Sequence, residues 1–275
     1  MPSKPQNKRI GLIGCGAIGS ALARKAKERS NGRAYVAYLN DKDSAKAEAL
    51  AKVLSPRPEI LESEKLIATS DIVIEAASAS ISADIARAAL KAGKHVLIMS
   101  VGGLIDAADL FQTEKNSGAG RLYIPSGAIG GLDAFRAVRH ERIDEAVLKT
   151  SKPPKALAGA AYLKEKGIDL GRIQSPQLIF SGSVSEAVKY FPQNINVAAA
   201  AALALGNIDR LRVEIYCDPA LNRNVHEVSA TGSFGRISFT AENVPSEDNP
   251  KTSRLAILSA LSTLEQMLDA VHIGS

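Results

Sequence analysis

The sequence predicts an α/β chain: a doubly wound parallel sheet over residues 1–125, followed over 126–251 by an α+β domain of mostly antiparallel sheet. Three observations carry that expectation. Strand-like apolar runs alternate with helical patterns up to Pro125, the rhythm of βαβ units. Beyond Pro125 strand-like runs follow one another, two of them joined around Gly232 and Gly235 as antiparallel pairs are. The 275 residues exceed one typical domain and fall short of two large ones. A chain of that size, 45% hydrophobic, can bury roughly three quarters of its extended surface without disulfides or metals.

In order, Arg9 to Ile13 is a short buried strand entering a glycine-rich turn, and Ala17 to Arg29 is helical. Ala34 to Leu39 reads as the second strand, and Ser44 can cap a helix running to Val53. Asp71 to Glu75 is the next buried strand. A helix then carries Ile81, Ile85, Ala88, Ala89 and Ala92 on one side and stops at Gly93. His95 to Ser100 and Arg121 to Ile124 complete the parallel set, with a helix expected over 106–115. In the second half, strands are expected over 146–150, 177–183, 210–217, 226–233 and 235–241, and helices over 132–140, 154–166, 184–190 and 196–205. From Thr252 to Val271, leucines 255, 258, 261, 264 and 268 together with Val271 line one stripe of a terminal amphipathic helix.

Composition excludes several classes of function. Two cysteines, Cys15 and Cys217, support neither a disulfide scaffold nor a Cys₄ zinc site, so no metal is expected and a reducing cytoplasmic setting is. The longest apolar stretch, 196–205, is far short of a membrane span, and the basic lead before Arg9 is no secretory signal. Basic and acidic residues, 34 and 29, are mixed along the chain, and only six Tyr and six Phe are present. Nucleic acid bound through aromatic platforms is therefore not expected, and anionic small molecules are.

Gly14-Cys15-Gly16-Ala17-Ile18-Gly19 matches G-x-G-x-x-G between a strand and a helix. The first glycine permits the tight turn, the second lets the backbone approach a pyrophosphate, and the third lets helix and strand pack closely. The helix start at Ala17 and Ile18 offers N–H groups to an anion. Asp41 closes the second strand, where a carboxylate meets ribose hydroxyls, while Lys42 beside it suits a 2′-phosphate; NAD and NADP both stay open. Cys15 in that loop reads as a small filler rather than a redox thiol. Ala77 and Ser78, just past Glu75, stand at the strand ends where such sheets place ligands, and Ser126 to Gly131 forms a second glycine-rich turn. Of four histidines, His95, His140 and His272 read as surface positions. His226, in the polar run Asn222 to Glu227, is the candidate for proton chemistry because an unperturbed imidazole titrates near neutrality. An anionic small molecule would need cationic or N–H contacts, for which Lys152 and the start of the 196–205 helix are available, with Arg223 next.

The glycine loop, Glu75-Ala76-Ala77-Ser78, Met99 to Gly102, Ser126 to Ile129, Ser151 to Pro154, Phe191 to Ala198, Asn224-Val225-His226-Glu227 and Asp248 to Ser253 together resemble the L-aspartate dehydrogenase family. The P-x-N-I-N-V-A and N-x-H-E segments are the more specific. The resemblance implies an N-terminal Rossmann domain to which the last helix, within 252–275, returns, and a catalytic and oligomerisation domain. It implies NAD(P)-dependent oxidation of L-aspartate to iminoaspartate, which hydrolyses to oxaloacetate and ammonia or feeds pyridine nucleotide biosynthesis, in a homodimer. Carried onto this chain, it makes His226 the active-site residue. The cofactor contacts become Ala128, with Gly130 as alternative, and Asn196, with Asn194 competing for contacts to cofactor or substrate.

Overall fold

The computed structural model of the chain describes residues 7–112, 118–191, 195–246 and 252–274. It divides into two compact units, Met1–Pro125 with Ile257–His272, and Ser126–Ala256 with Ile273–Ser275.

The first unit contains β1 (Lys8–Ile13), α1 (Ala17–Arg29), β2 (Ala34–Asn40), α2 (Ser44–Val53), β3 (Glu59–Ile60), α3 (Ser63–Thr69), β4 (Ile72–Glu75), α4 (Ala79–Lys91), β5 (His95–Ile98) and β6 (Leu122–Tyr123). Its strands lie in the order β3-β2-β1-β4-β5-β6, and every pairing is parallel. The order reverses between β1 and β4, the switch point at which a doubly wound sheet opens a crevice beyond its strand ends. Ile10, Leu12, Ile72, Ile74 and Leu97 are buried because a parallel sheet is covered on both faces.

Two local expectations are corrected, and two short elements were not read from the sequence. Asp43, not Ser44, caps α2: its carboxylate accepts from the Ala45 N–H at 3.1 Å, and a negative group suits that helix end. In place of a helix over 106–115 there is one 3₁₀ turn, Ala108–Phe111, preceded by another at Val101–Leu104, and residues 113–117 lie outside the described residues. The N–H groups of Ala107 and Leu110 reach back three residues, to Leu104 and Ala107, rather than four. β3 and α3 escaped the sequence reading because two and seven residues are too short to display a period.

The second unit contains α5 (Leu132–Ala137), β7 (Ile143–Lys152), α6 (Pro154–Leu157), α7 (Ala161–Glu165), β8 (Gln177–Ser183), α8 (Val184–Tyr190), α9 (Asn196–Ala204), β9 (Arg212–Cys217), β10 (Asn224–Gly232), β11 (Gly235–Asn243) and the first residues of α10 (Arg254–Leu268). The sheet order is β11-β10-β7-β9-β8, antiparallel except where β7 runs alongside β9. The helix expected over 154–166 is broken into α6 and α7, with Gly159 at φ +88° between them. A capping box starts α8, Ser183 and Glu186 each accepting from the other's backbone N–H.

From Ile257 onward α10 belongs to the first unit's core, where Ile257, Ala260, Leu261 and Leu264 join Leu12, Leu22 and Leu50. The buried stripe is therefore 257, 260, 261 and 264, rotated from the expected stripe; Leu258 is exposed, and so is Val271, which lies past the end of the helix. Ala260, at 1% exposure, belongs to that buried face, which a reading by leucine alone overlooks. Arg29 pairs with Glu265 and Arg33 with Asp269, both at 2.7 Å, while Arg33 also donates to the Leu268 carbonyl at the helix end.

Candidate active site

At the end of β1 the three glycines of the loop have three separate reasons. Gly14 has φ +99°, and a Cβ there would stand 2.5 Å from the Ala76 carbonyl carbon. Gly19 faces the Gly14 carbonyl so closely that no side chain fits. Gly16 has nothing within 4 Å of the place its Cβ would take, so the backbone borders open space there. Above that space α1 begins, and the N–H groups of Ala17, Ile18 and Gly19 have no intrahelical acceptor. This cradle fits a dinucleotide pyrophosphate: open at the middle glycine, closed at the other two, with backbone donors at a helix start.

Asp41 stands beside the cradle. Its Oδ2 accepts from the Cys15 N–H at 2.7 Å and its Oδ1 from the Asp43 N–H at 2.8 Å, fixing the carboxylate at the end of β2. The Cys15 thiol is pushed up to about 12 by burial and by the Asp41 charge, so it stays protonated and acts as filler. Glu75 is wholly buried and accepts from the N–H groups of Ala77, Ser78 and Ser100 and from the Ser100 hydroxyl. Burial raises its pKa, and those four bonds oppose the rise. Glu75 thus builds the loop, and Ala77 and Ser78, both exposed, have spent their N–H groups on it. Any cofactor contact of theirs must use side chains or carbonyls.

The second unit gathers a polar cluster on one face of its sheet. Alternate residues of β7 point inward, Ala146, Leu148, Thr150 and Lys152, so the face turns from apolar to polar towards the strand's end. β10 repeats the change: Ala230 and Val228 are apolar and His226, paired with Thr150, is the next inward position. Thr150 Oγ1 and His226 Nδ1 share a hydrogen bond of 3.0 Å, which leaves Nε2 as the ring nitrogen able to meet a substrate. Lys152 is 2% exposed and His226 4%. Lys152, the candidate anion contact, is the last residue of a strand, with its stem inside.

Burial and charge act on both groups. Burial lowers Lys152 to about 8, and burial followed by the Lys152 charge lowers His226 to about 3. This corrects the premise of an unperturbed imidazole: His226 is neutral throughout the physiological range, and Lys152 is the group that titrates close to it.

Ala128 is buried in the 126–131 turn, and its carbonyl accepts from Asn243 Nδ2 at 3.0 Å. At Gly130, the alternative, a Cβ would lie 2.6 Å from the Phe239 ring, so a side chain there would require that ring to shift. Asn196 is the exposed first residue of α9, and Asn194 lies outside the described residues. Arg223 Nε donates to the neighbouring Asn222 side chain. The structure therefore brings together Thr150, Lys152 and His226, and separately Gly14 to Gly19 with Asp41. Thr150 was missed as a partner of His226, although its inward position followed from the alternation of β7. Asn243 was missed with no local signal to mark it. Among the described residues no group of three or more His, Cys, Asp or Glu could hold a metal ion, and no helix is long and apolar enough to cross a membrane.

Comparison with known proteins gives two family matches. The profile of "Aspartate dehydrogenase, C-terminal" matches residues 133–267, and that of "Homoserine dehydrogenase, NAD binding domain" matches residues 14–125. The chain is 40% identical over 269 residues to an L-aspartate dehydrogenase of Methanocella arvoryzae, covering 97% of this chain and 99% of the relative. It is 39% identical over 273 residues to an L-aspartate dehydrogenase of Nitrosopumilus maritimus, covering 98% and 100%. A crystal structure of aspartate dehydrogenase from Thermotoga maritima superposes with a TM-score of 0.76 at 28% identity, covering 98% of this chain and 100% of that one.

Proposed function

The chain belongs to the L-aspartate dehydrogenase family, and from that premise we propose that it oxidises L-aspartate at Cα, with NAD(P)⁺ as acceptor, to iminoaspartate. The observation that carries the proposal is the buried Lys152 and His226 on one sheet face, a cation and an imidazole held for an anionic substrate. Gly14 to Gly19 would hold the pyrophosphate and Asp41 the ribose, with Ala128 and Asn196 as the further cofactor contacts that the resemblance assigns. When bound, the cofactor supplies the hydride acceptor.

The protein's own residues handle charge and protons. Lys152 as an ammonium pairs with a substrate carboxylate. That pairing offsets its charge at His226, and the substrate's own negative charge favours an imidazolium, so His226 becomes more basic when aspartate arrives. Its Nε2 can then take a proton from the substrate amine, whose lone pair must be free before Cα gives up a hydride. Once that proton has passed from Nε2 to solvent, the neutral ring can in hydrolysis take a proton from the attacking water and return it to the departing ammonia. Thr150 holds Nδ1 and fixes the ring's direction. The products are oxaloacetate and ammonia, or iminoaspartate released towards pyridine nucleotide biosynthesis. A homodimer is proposed from the family resemblance, and a cytoplasmic setting from two buried, unbridged thiols; small molecules rather than nucleic acids are its proposed partners. The direct test is NAD(P)H formation across a panel of amino acids: aspartate should lead, and a chain that binds NADH yet turns over another amino acid faster would refute the substrate.

Lys152 gives a pH prediction with a definite sign. Its ammonium is present below about pH 8 and lost above it. Succinate, a dicarboxylate with no amine to titrate, should inhibit progressively more weakly as pH rises through that value, and Lys152→Arg should flatten the change. Lys152→Ala should raise KM for aspartate about 10- to 100-fold, the loss of one hydrogen bond to a charged group. A succinate inhibition constant that stays level from about pH 6.5 to about pH 9.5 would remove Lys152 from the substrate site.

Asp41 tests the ribose contact. Its fixed carboxylate suits two hydroxyls and repels a 2′-phosphate, so Asp41→Ala should weaken NAD⁺ about tenfold and leave NADP⁺ equal or improved. Equal losses for both cofactors would show that Asp41 only shapes the loop.

A further inference from the structure

Asn243, the last residue of β11, is an amide buried to 4% exposure with every contact accounted for by geometry. Its Nδ2 donates to the Ala128 carbonyl at 3.0 Å and to the Ala241 carbonyl at 3.4 Å, and its Oδ1 accepts from the Ser253 hydroxyl. The Ser253 oxygen in turn accepts from the Leu255 N–H at 3.1 Å, at the start of α10. A flipped amide would set its oxygen against two carbonyls, so the partners dictate which end faces the turn. Such a buried amide is tolerated only when both ends are satisfied.

The same strand touches the turn a second time. Phe239, two inward positions before Asn243, lies under Gly130, where a Cβ would be 2.6 Å from the ring, and beside Gly131, held at φ +75°. One strand face therefore fixes the 126–131 turn at two points, by a hydrogen bond at Ala128 and by contact at Gly130.

We propose that Asn243 is a positioning residue for cofactor binding: its amide, oriented by Ser253, sets the Ala128 carbonyl and with it the turn that meets the cofactor. The proposal rests on the reading that Ala128 contacts NAD(P). Asn243→Asp keeps the shape and the acceptor for Ser253 but replaces the donor to Ala128 with an oxygen. It should raise the NADH Kd about tenfold, the loss of one buried hydrogen bond with an unsatisfied carbonyl left behind, and leave KM for aspartate at saturating cofactor within about twofold. Ser253→Ala, which leaves the ladder of β11 intact, should shift NADH affinity in the same direction by about threefold, and Ser253→Thr should restore it; this pair decides the question if Asn243→Asp does not fold. Ala128→Val separates the two layers of the argument. If Ala128→Val impairs NADH binding while Asn243→Asp and Ser253→Ala bind it normally with lowered Tm, Asn243 is a structural peg and the proposal fails alone. If all three bind NADH as the parent does, Ala128 is no cofactor contact and both readings fall. Equal losses of cofactor and aspartate affinity in Asn243→Asp would also overturn it, since a collapsed unit rather than a displaced turn gives that pattern.

Discussion

His226→Ala is expected to lower kcat by about 10²–10⁴-fold, the usual worth of a general acid/base, with NAD(H) affinity unchanged. The side chain is buried beside Lys152 and anchored through Nδ1 to Thr150, so its loss removes the proton carrier and opens a small polar void. The Gly14 to Gly19 loop is built by bonds to Asn40, Asp41 and the turn of α1, and none of them involves β10. Cofactor binding therefore should not follow His226. The opposing possibility is that His226 only donates a hydrogen bond to a carboxylate, in which case KM rises and kcat at saturating aspartate stays parental. The lowered pKa sharpens the distinction: a group near 3 in the empty site acts as a base only once substrate charge has raised it. The acidic limb of kcat, which reports the substrate complex, should accordingly lie above that of kcat/KM, which reports the free enzyme, and it should disappear in His226→Ala. A His226→Ala protein with parental kcat removes the residue from the chemistry.

The first unit was readable because its signals are local and redundant. A strand, three glycines at set spacing, a helix and a terminal carboxylate, Asp41, all fall within one βαβ stretch, and each constrains the same backbone. Where the signal was short or ambiguous, the reading failed: β3 has two residues, and the stripe of α10 turned on Ala260 as much as on leucines. The candidate site was only half legible. Ending the strand at 150 put Lys152 outside it, whereas the alternation Ala146, Leu148, Thr150, Lys152 runs on to the strand's true end and carries the lysine inward. Extending the period by one step would have paired a buried cation with His226. The pKa values could not be read at all, because they depend on enclosure from several strands and on the Lys152 charge. Asn243 is a different case. Its role comes from contacts to Ala128, 115 residues away, and to Ser253, and no periodicity distinguishes an inward asparagine at a strand end from a turn residue.

Gly16→Val is expected to abolish most cofactor affinity while leaving the fold intact, and the contrast with Gly19→Ala makes the result interpretable. At Gly16 the backbone has φ −69° and ψ −168°, open to any L-residue, and no atom lies within 4 Å of the new Cβ. The cost to folding is confined to a poorer helix cap, about 1 kcal/mol or less. The space the valine fills is the space a pyrophosphate needs. Losing two charge-assisted hydrogen bonds from backbone N–H groups removes about 3–6 kcal/mol, or about 10²–10⁴-fold in Kd. Gly19→Ala is the reverse. Its methyl group would press on the Gly14 carbonyl, a backbone atom that cannot move without opening the contact between α1 and β1, so stability falls first. Thermal shift separates the two. NADH should raise the Tm of the parent by mass action and fail to raise that of Gly16→Val, whose Tm without NADH should stay within a few degrees of the parent. Gly19→Ala should start from a markedly lower Tm. If NADH protects Gly16→Val as well as the parent, the open space at Gly16 is not where the pyrophosphate lies, and the loop's match to G-x-G-x-x-G is a packing device alone.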